Sequence, residues 1–81
     1  MQDVFEKVRA LIAEKKGIDA NEVNITDSFE DLNMDSLDSV ELISELEDHF
    51  KVSIPNQELL QIKTVKEAVD SLSKLVGSTS N

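Results

Sequence analysis

Apolar residues recur at Val4, Phe5, Val8, Leu11 and Ile12, with spacings of one, three, three and one that put them on one face of a helix over residues 3–16. Asp3 is placed to cap its start, Lys15 and Lys16 fall in its last turn, and Gly17 supplies the terminator. A second helical pattern covers residues 36–50, and a third runs through Val65, Ala68, Val69, Leu72, Leu75 and Val76 to Gly77. The third opens with Thr64-x-x-Glu67, a capping box. Between the first two lies an acidic, irregular stretch, residues 18–35, with Ile18, Val23, Ile25, Phe29 and Leu32 as scattered apolar anchors and Ser28-x-x-Asp31 as a cap for a short turn. Residues 51–55 (KVSIP) read as extended, because Pro55 drives Ile54 out of helical space. A strand there has no second strand to pair with. Residues 56–62 fit a short helix capped by Asn56. The pattern predicts an all-α fold, a small bundle of three main helices plus one short helix, with a long loop after the first helix.

Length changes this picture little. The 81 residues make one domain, expected over residues 1–77 with a disordered tail at 78–81. A chain this short has a small core, with no room for a deep cleft between two layers. No apolar run approaches the roughly 18 residues of a membrane span, and no signal-peptide pattern is visible. The initiating Met and the lack of a presequence point to a bacterial cytoplasm, with a trimmed organellar form as the alternative. Cysteine is absent, which removes disulfides, thiolate nucleophiles and Cys-based zinc sites.

Charge changes it more. The net charge is −9, and residues 17–50 hold eleven Asp and Glu with no Lys or Arg. Such a field repels phosphate backbones, so nucleic acid is excluded as a partner. It suits either a protein with a basic patch or a merely solubilising surface.

The placement of these acids on the helix at 36–50 bears on that choice. Leu42, Leu46, Phe50, Ile43 and Val40 share the arc that faces the core. Asp38, Glu41, Glu45 and Asp48 form a stripe on the far side, and Glu47 flanks the core. Like charges three and four apart destabilise a helix by a few tenths of a kcal/mol per pair. No Lys interrupts this stripe before Lys51. Leu37 lies beside it and off the core arc, either as a docking anchor within a charged rim or as a residue covered by the preceding loop. One position earlier, Asp35 is the better N-cap. That makes Ser36 the first helical residue, exposed where the backbone amides have no intrahelical acceptor.

A hydroxyl at such a place has several uses. Nucleophilic catalysis needs a base within reach, and the sole histidine, His49, lies 13 residues along the same helix, roughly 20 Å away. No triad can form, and the chain is not expected to be an enzyme. Asp31, Asn33 and Asp35 match the first three ligand positions of a calcium loop, but Ser36, Asp38 and Leu42 break the pattern further on, so no dedicated metal site is expected. A plain helix-start serine is the remaining structural reading.

With "FEDL" before it and "HFKVSIP" after it, "DSLDSVEL" resembles the acyl carrier protein family, and the similarity runs over roughly residues 3–76, including "TVKEAVD" at the last helix. The resemblance implies that Ser36, flanked by Asp35 and Leu37, receives phosphopantetheine from coenzyme A through a phosphopantetheinyl transferase. The arm's thiol would then hold acyl groups as thioesters. It implies a cytoplasmic monomer that is not an enzyme and shuttles growing chains among fatty acid synthesis enzymes with basic patches. Asp38, Glu41, Glu45, Glu47 and Asp48 would meet those patches. Phe29, Val40, Leu46, Ile54, Leu59, Ile62 and Ala68 would line the acyl pocket. Asn33-Met34 stands where the family often has Gly-Ala, and Leu59-Leu60 replaces a more usual small-plus-acidic pair that leaves more room for the acyl chain. Carriage of an aminoacyl, D-alanyl or polyketide group, or an acidic interaction module with no prosthetic group, are the alternatives.

Overall fold

A computed structural model describes residues 2–79. Four α-helices follow one another: α1 (Gln2–Lys16), α2 (Ser36–Phe50), α3 (Asn56–Leu59) and α4 (Val65–Thr79). A single 3-10 turn, Ala20–Glu22, interrupts the long first loop. The described residues form no strand, only one isolated antiparallel bridge between Ser28 and Thr64. None of the helices is long and apolar enough to cross a membrane.

The core is where the three apolar stripes meet. Val4, Val8 and Ile12 of α1, Leu42, Ile43 and Leu46 of α2, and Val65, Ala68, Val69 and Leu72 of α4 are all buried. Loop residues Val23, Phe29, Met34, Ile54 and Ile62 complete it, and Ile18, Ile25 and Leu32 pack against it half-buried. Burying each Val, Leu or Ile side chain contributes roughly 1.5–3 kcal/mol, which is how so short a chain holds a long loop in place. Arg9 pins the start of that loop, donating to the Val23 carbonyl at 2.8 Å while lying 4.6 Å from the centre of the Phe5 ring.

Helix ends differ from expectation in three places. α1 begins at Gln2, so Asp3 lies inside its first turn instead of capping it. Pro55, not Asn56, precedes α3, and no side-chain hydrogen bond caps that helix; α3 also stops at Leu59, with residues 60–61 forming a turn. α4 continues through Gly77 to Thr79, so residues 78 and 79 are helical; Ser80 and Asn81, the rest of the expected tail, lie outside the described residues.

α1 and α2 close in the same way. The Ile18 amide reaches back to the Ala13 carbonyl and the Val52 amide to the Glu47 carbonyl, each at 3.0 Å. Both closures pass through a left-handed residue, Gly17 at φ 66° and Lys51 at φ 57°. Lys51 therefore begins the 51–55 stretch in a left-handed turn, and only residues 52–55 continue without regular structure.

The left-handed conformation costs a non-glycine residue about 1 kcal/mol. Lys51→Gly should raise the urea midpoint by an amount worth about 0.5–1 kcal/mol at unchanged slope. Gly17→Ala should lower it by a similar amount, through the backbone alone, because a Cβ there meets nothing within 4 Å. The box opening α4 gives a pH signature. The Lys63 amide, and then the Thr64 amide and hydroxyl, donate to Glu67 and hold its carboxyl below the ordinary glutamate value. A lowered folded-state pKa contributes stability that is present above the unfolded value and lost as pH falls through the folded one. Glu67→Gln should flatten that acid limb in a stability-against-pH series.

Candidate functional site

Ser36 is exposed, as the first residue of α2. Its position is built by the turn before it. Asn33 is left-handed at φ 60°, as its short polar side chain allows, and its carbonyl accepts from Lys16 Nζ at 2.9 Å. The Met34 amide donates to the Phe29 carbonyl at 2.9 Å, and the Met34 side chain is buried. The bulk of Met34 is thus directed inward. Asp35 is the N-cap: its Oδ1 accepts from the Asp38 amide at 2.9 Å, while Asp38 Oδ2 accepts from the Asp35 amide at 3.4 Å. This reciprocal box leaves the amides of Ser36 and Leu37 without intrahelical acceptors.

Ser36 stands on the rim of a cleft of about 450 Å³ between α2, the first loop and residues 59–63. That volume lies in the roughly 300–1,000 Å³ range of small-molecule sites. Three hydroxyls line the cleft, Ser28, Ser36 and Ser39. Ser28 Oγ accepts from the Asp31 amide at 2.9 Å, and Ser39 Oγ donates to the Asp35 carbonyl at 3.1 Å. Of the three, only the Ser36 hydroxyl makes no hydrogen bond within the described residues. An exposed, uncommitted hydroxyl beside free helix-start amides fits attachment of a phosphate-linked arm.

The residues expected to line an acyl pocket divide between the cleft and the core. Phe29, Val40, Leu59 and Ile62 do line it, together with Met34, Ile43 and Leu60. Leu46, Ile54 and Ala68 do not; they are buried in the core beneath. Helical periodicity finds a core-facing residue but cannot separate the floor of a cleft from the packing under it. Val40, at the edge of the core arc, is 46% exposed, and the cleft opens between a helix and a loop, not between two layers. Leu37 is 68% exposed, so the preceding loop does not cover it.

The acidic face divides in two. Asp38 is committed to the cap. Glu47, half-buried, accepts from the Ile54 amide at 2.6 Å. Glu45 pairs with Lys15 of α1 at 2.8 Å, and the Glu45 contact raises the lysine pKa, helped by the charges of Glu41 and Asp38. Glu41 and Asp48 are exposed, with no ion-pair partner among the described residues. Seven residues apart, they lie about 10 Å from each other along the helix axis. Asp31 and Asp35, which share the calcium-loop spacing, close two separate turns. No group of three or more metal-ligating side chains gathers among the described residues. His49 is exposed and edge-on to Phe50, with ring centroids 4.8 Å apart.

Residues 6–72 match the family model described as "Phosphopantetheine attachment site". The chain is 52% identical over 68 residues to an acyl carrier protein of Helicobacter hepaticus, covering 83% of this chain and 90% of that one. It is 44% identical over 77 residues to an acyl carrier protein of Thermosynechococcus vestitus, covering 94% and 95%. Among solved structures, the acyl carrier protein from Enterococcus faecalis superposes with a TM-score of 0.76 at 33% identity, covering 91% of this chain and 95% of that one.

The division of the acidic face can be measured by stability alone. Glu47→Ala removes a charge-assisted hydrogen bond to a backbone amide and should cost roughly 1.5–3 kcal/mol. Glu41→Ala should stay within about 0.5 kcal/mol of the parent in the same denaturation experiment.

Proposed function

The chain belongs to the acyl carrier protein family, a phosphopantetheine-bearing carrier and not an enzyme, and from that premise we propose that Ser36 bears the arm and that growing fatty acyl chains are its cargo. The observation that carries this reading is the uncommitted Ser36 hydroxyl on the rim of a cleft that also presents Phe29, Met34, Val40, Ile43 and Leu59. Ser36 Oγ forms the phosphoester bond with the phosphopantetheine part of coenzyme A, its proton passes to a base supplied by the transferase, and the nucleotide part leaves. His49 is too far along α2 to act as that base. Asp35 and Asp38 hold the helix start rigid, so the hydroxyl is presented in one place. Once attached, the arm supplies a thiol that holds acyl groups as thioesters, a function the cysteine-free chain cannot supply itself. Met34, Val40, Ile43 and Leu59 offer alkyl chains an apolar surface, which favours fatty acyl cargo over aminoacyl or D-alanyl groups.

Partners meet the chain on the open half of the acidic face. Glu41 and Asp48 attract cations about 10 Å apart on a transferase or synthase, and exposed Leu37 packs into the partner beside them. The carrier works as a monomer, in the cytoplasm of a bacterium like those of its relatives.

Intact mass before and after incubation with coenzyme A, Mg²⁺ and a broad-specificity phosphopantetheinyl transferase tests the attachment. The parent should gain one phosphopantetheine that maps to Ser36, and Ser36→Ala should gain none while keeping its helical circular dichroism. A gain on the alanine variant would move the arm elsewhere. In the same assay Glu41→Lys with Asp48→Lys should slow loading about tenfold and weaken its salt dependence, whereas Glu45→Gln should change it little.

A further inference from the structure

Residues 55–62 carry one wall of the cleft at Leu59, Leu60 and Ile62, yet few polar contacts tie this segment to the rest of the fold. At one end the Ile54 amide is fixed to Glu47 at 2.6 Å; at the other the Lys63 carbonyl accepts from the Phe29 amide at 3.0 Å. Between these anchors the backbone bonds close within the segment: Leu59 to Pro55 at 2.9 Å, Leu60 to Asn56 at 3.0 Å, Ile62 to Leu59 at 3.2 Å. α3 has four residues and no side-chain cap. A helix that short does not hold itself together in water, so tertiary contacts must fix its place. Ile62 is buried and Leu59 half-buried, but Leu60 is 77% exposed.

One polar side-chain contact among the described residues crosses from this segment to another helix. Ser71 Oγ, on α4, donates to Glu58 Oε1 at 3.2 Å. Ser71 is only 9% exposed, set among the apolar residues of α4. Glu58 and Ser71 line a shallow depression on the α4 side of the segment, while Leu59 and Leu60 line the cleft on its other side. Glu67 and Asp70 border the same depression.

We infer that the Ser71–Glu58 hydrogen bond is a latch that fixes the α3 wall of the cleft, so that these two positioning residues set how well an acyl chain is sheltered. The link to cargo rests on the carrier reading above; the latch itself does not. With the latch closed, α3 is held against α4 and the cleft keeps its shape. With it open, residues 58–62 move between their two anchors and the thioester loses cover.

Amide hydrogen exchange on the full chain, without any arm, tests the latch. Ser71→Ala and Glu58→Ala should each speed exchange about fivefold at the amides of residues 59–62 and leave the buried amides of α1 and α2 unchanged. Glu58→Gln retains an acceptor oxygen, so it should exchange like the parent. Unchanged exchange in the alanine variants, or an even rise over the whole chain, would overturn the latch. The second readout is the rate at which hydroxylamine cleaves an octanoyl thioester on the loaded protein. Both alanine variants should be cleaved several-fold faster than the parent, and Glu58→Gln should not. Faster exchange with unchanged cleavage would overturn the link between wall and cargo. A chain that the transferase cannot load at all would overturn the carrier reading, and the exchange data would still judge the latch.

Discussion

The apolar stripe of α4 is the surface on which everything else is assembled. Val65, Ala68, Val69 and Leu72 are fully buried in the core that α4 shares with α1 and α2. The start of that stripe also fixes the long loop. The Val65 amide donates to the Asp27 carbonyl at 2.9 Å, the Phe29 amide to the Lys63 carbonyl at 3.0 Å, and Ser28 bridges Thr64. The loop is thereby held at Phe29, whose carbonyl accepts the Met34 amide, and Met34 leads directly into the Asp35 cap. The place of Ser36 is the far end of a chain of contacts that begins with burial on α4.

Acidic residues do two different jobs in this chain. Many close local turns three residues from their start: Glu22 with Asp19, Asp31 with Ser28, Asp38 with Asp35, Glu67 with Thr64. Asp27 accepts from the Asn24 amide at the same spacing. A loop of this length carries many backbone donors that no helix or sheet can satisfy, and short carboxylates satisfy them locally. Negative charge is therefore partly a by-product of building an ordered loop without secondary structure. The remaining acids, exposed Glu41 and Asp48 among them, are those with no such employment. That distinction narrows the electrostatic face a partner can use.

Much of the fold was legible because helices write their period into the sequence. α2 starts at Ser36 and stops at Phe50, where the pattern puts it, because Asp35 and the change to KVSIP mark both ends. The turn at Asn33 was legible from residue chemistry, since Asn is among the few side chains that accept positive φ. The boxes at Ser28 and Thr64 were legible from spacing, and Asp35 was legible as a cap; the box at Asp19 obeys the same spacing but begins with Asp, which reads first as charge. Less of the site could be read. Glu45 and Glu47 are adjacent on one helix, and only tertiary structure decides that Lys15 neutralises one and the Ile54 backbone holds the other. Leu46 and Ala68 are apolar and inward-facing like Ile43, yet only Ile43 reaches the cleft, because its position along α2 falls beside the loop opening.

The choice of one serine follows from these same constraints. Ser28, Ser39 and Ser71 have their hydroxyls in hydrogen bonds, and the Ser73 hydroxyl is buried. Ser44 is exposed in the middle of α2, where the neighbouring amides are taken by the helix, and Ser53 is exposed in a stretch with no helix start. Ser36 alone among these joins an exposed, unbonded hydroxyl to free helix-start amides and an adjoining apolar cleft. The Asp35–Asp38 box is what keeps the combination available. It satisfies two donors of the helix start with groups on either side of Ser36 and leaves the serine out of the network. A serine at the cap position itself would turn its hydroxyl inward to accept an amide and would lose its reactivity to its own helix. Placing the aspartate in the cap and the serine one residue later separates the structural task from the chemical one.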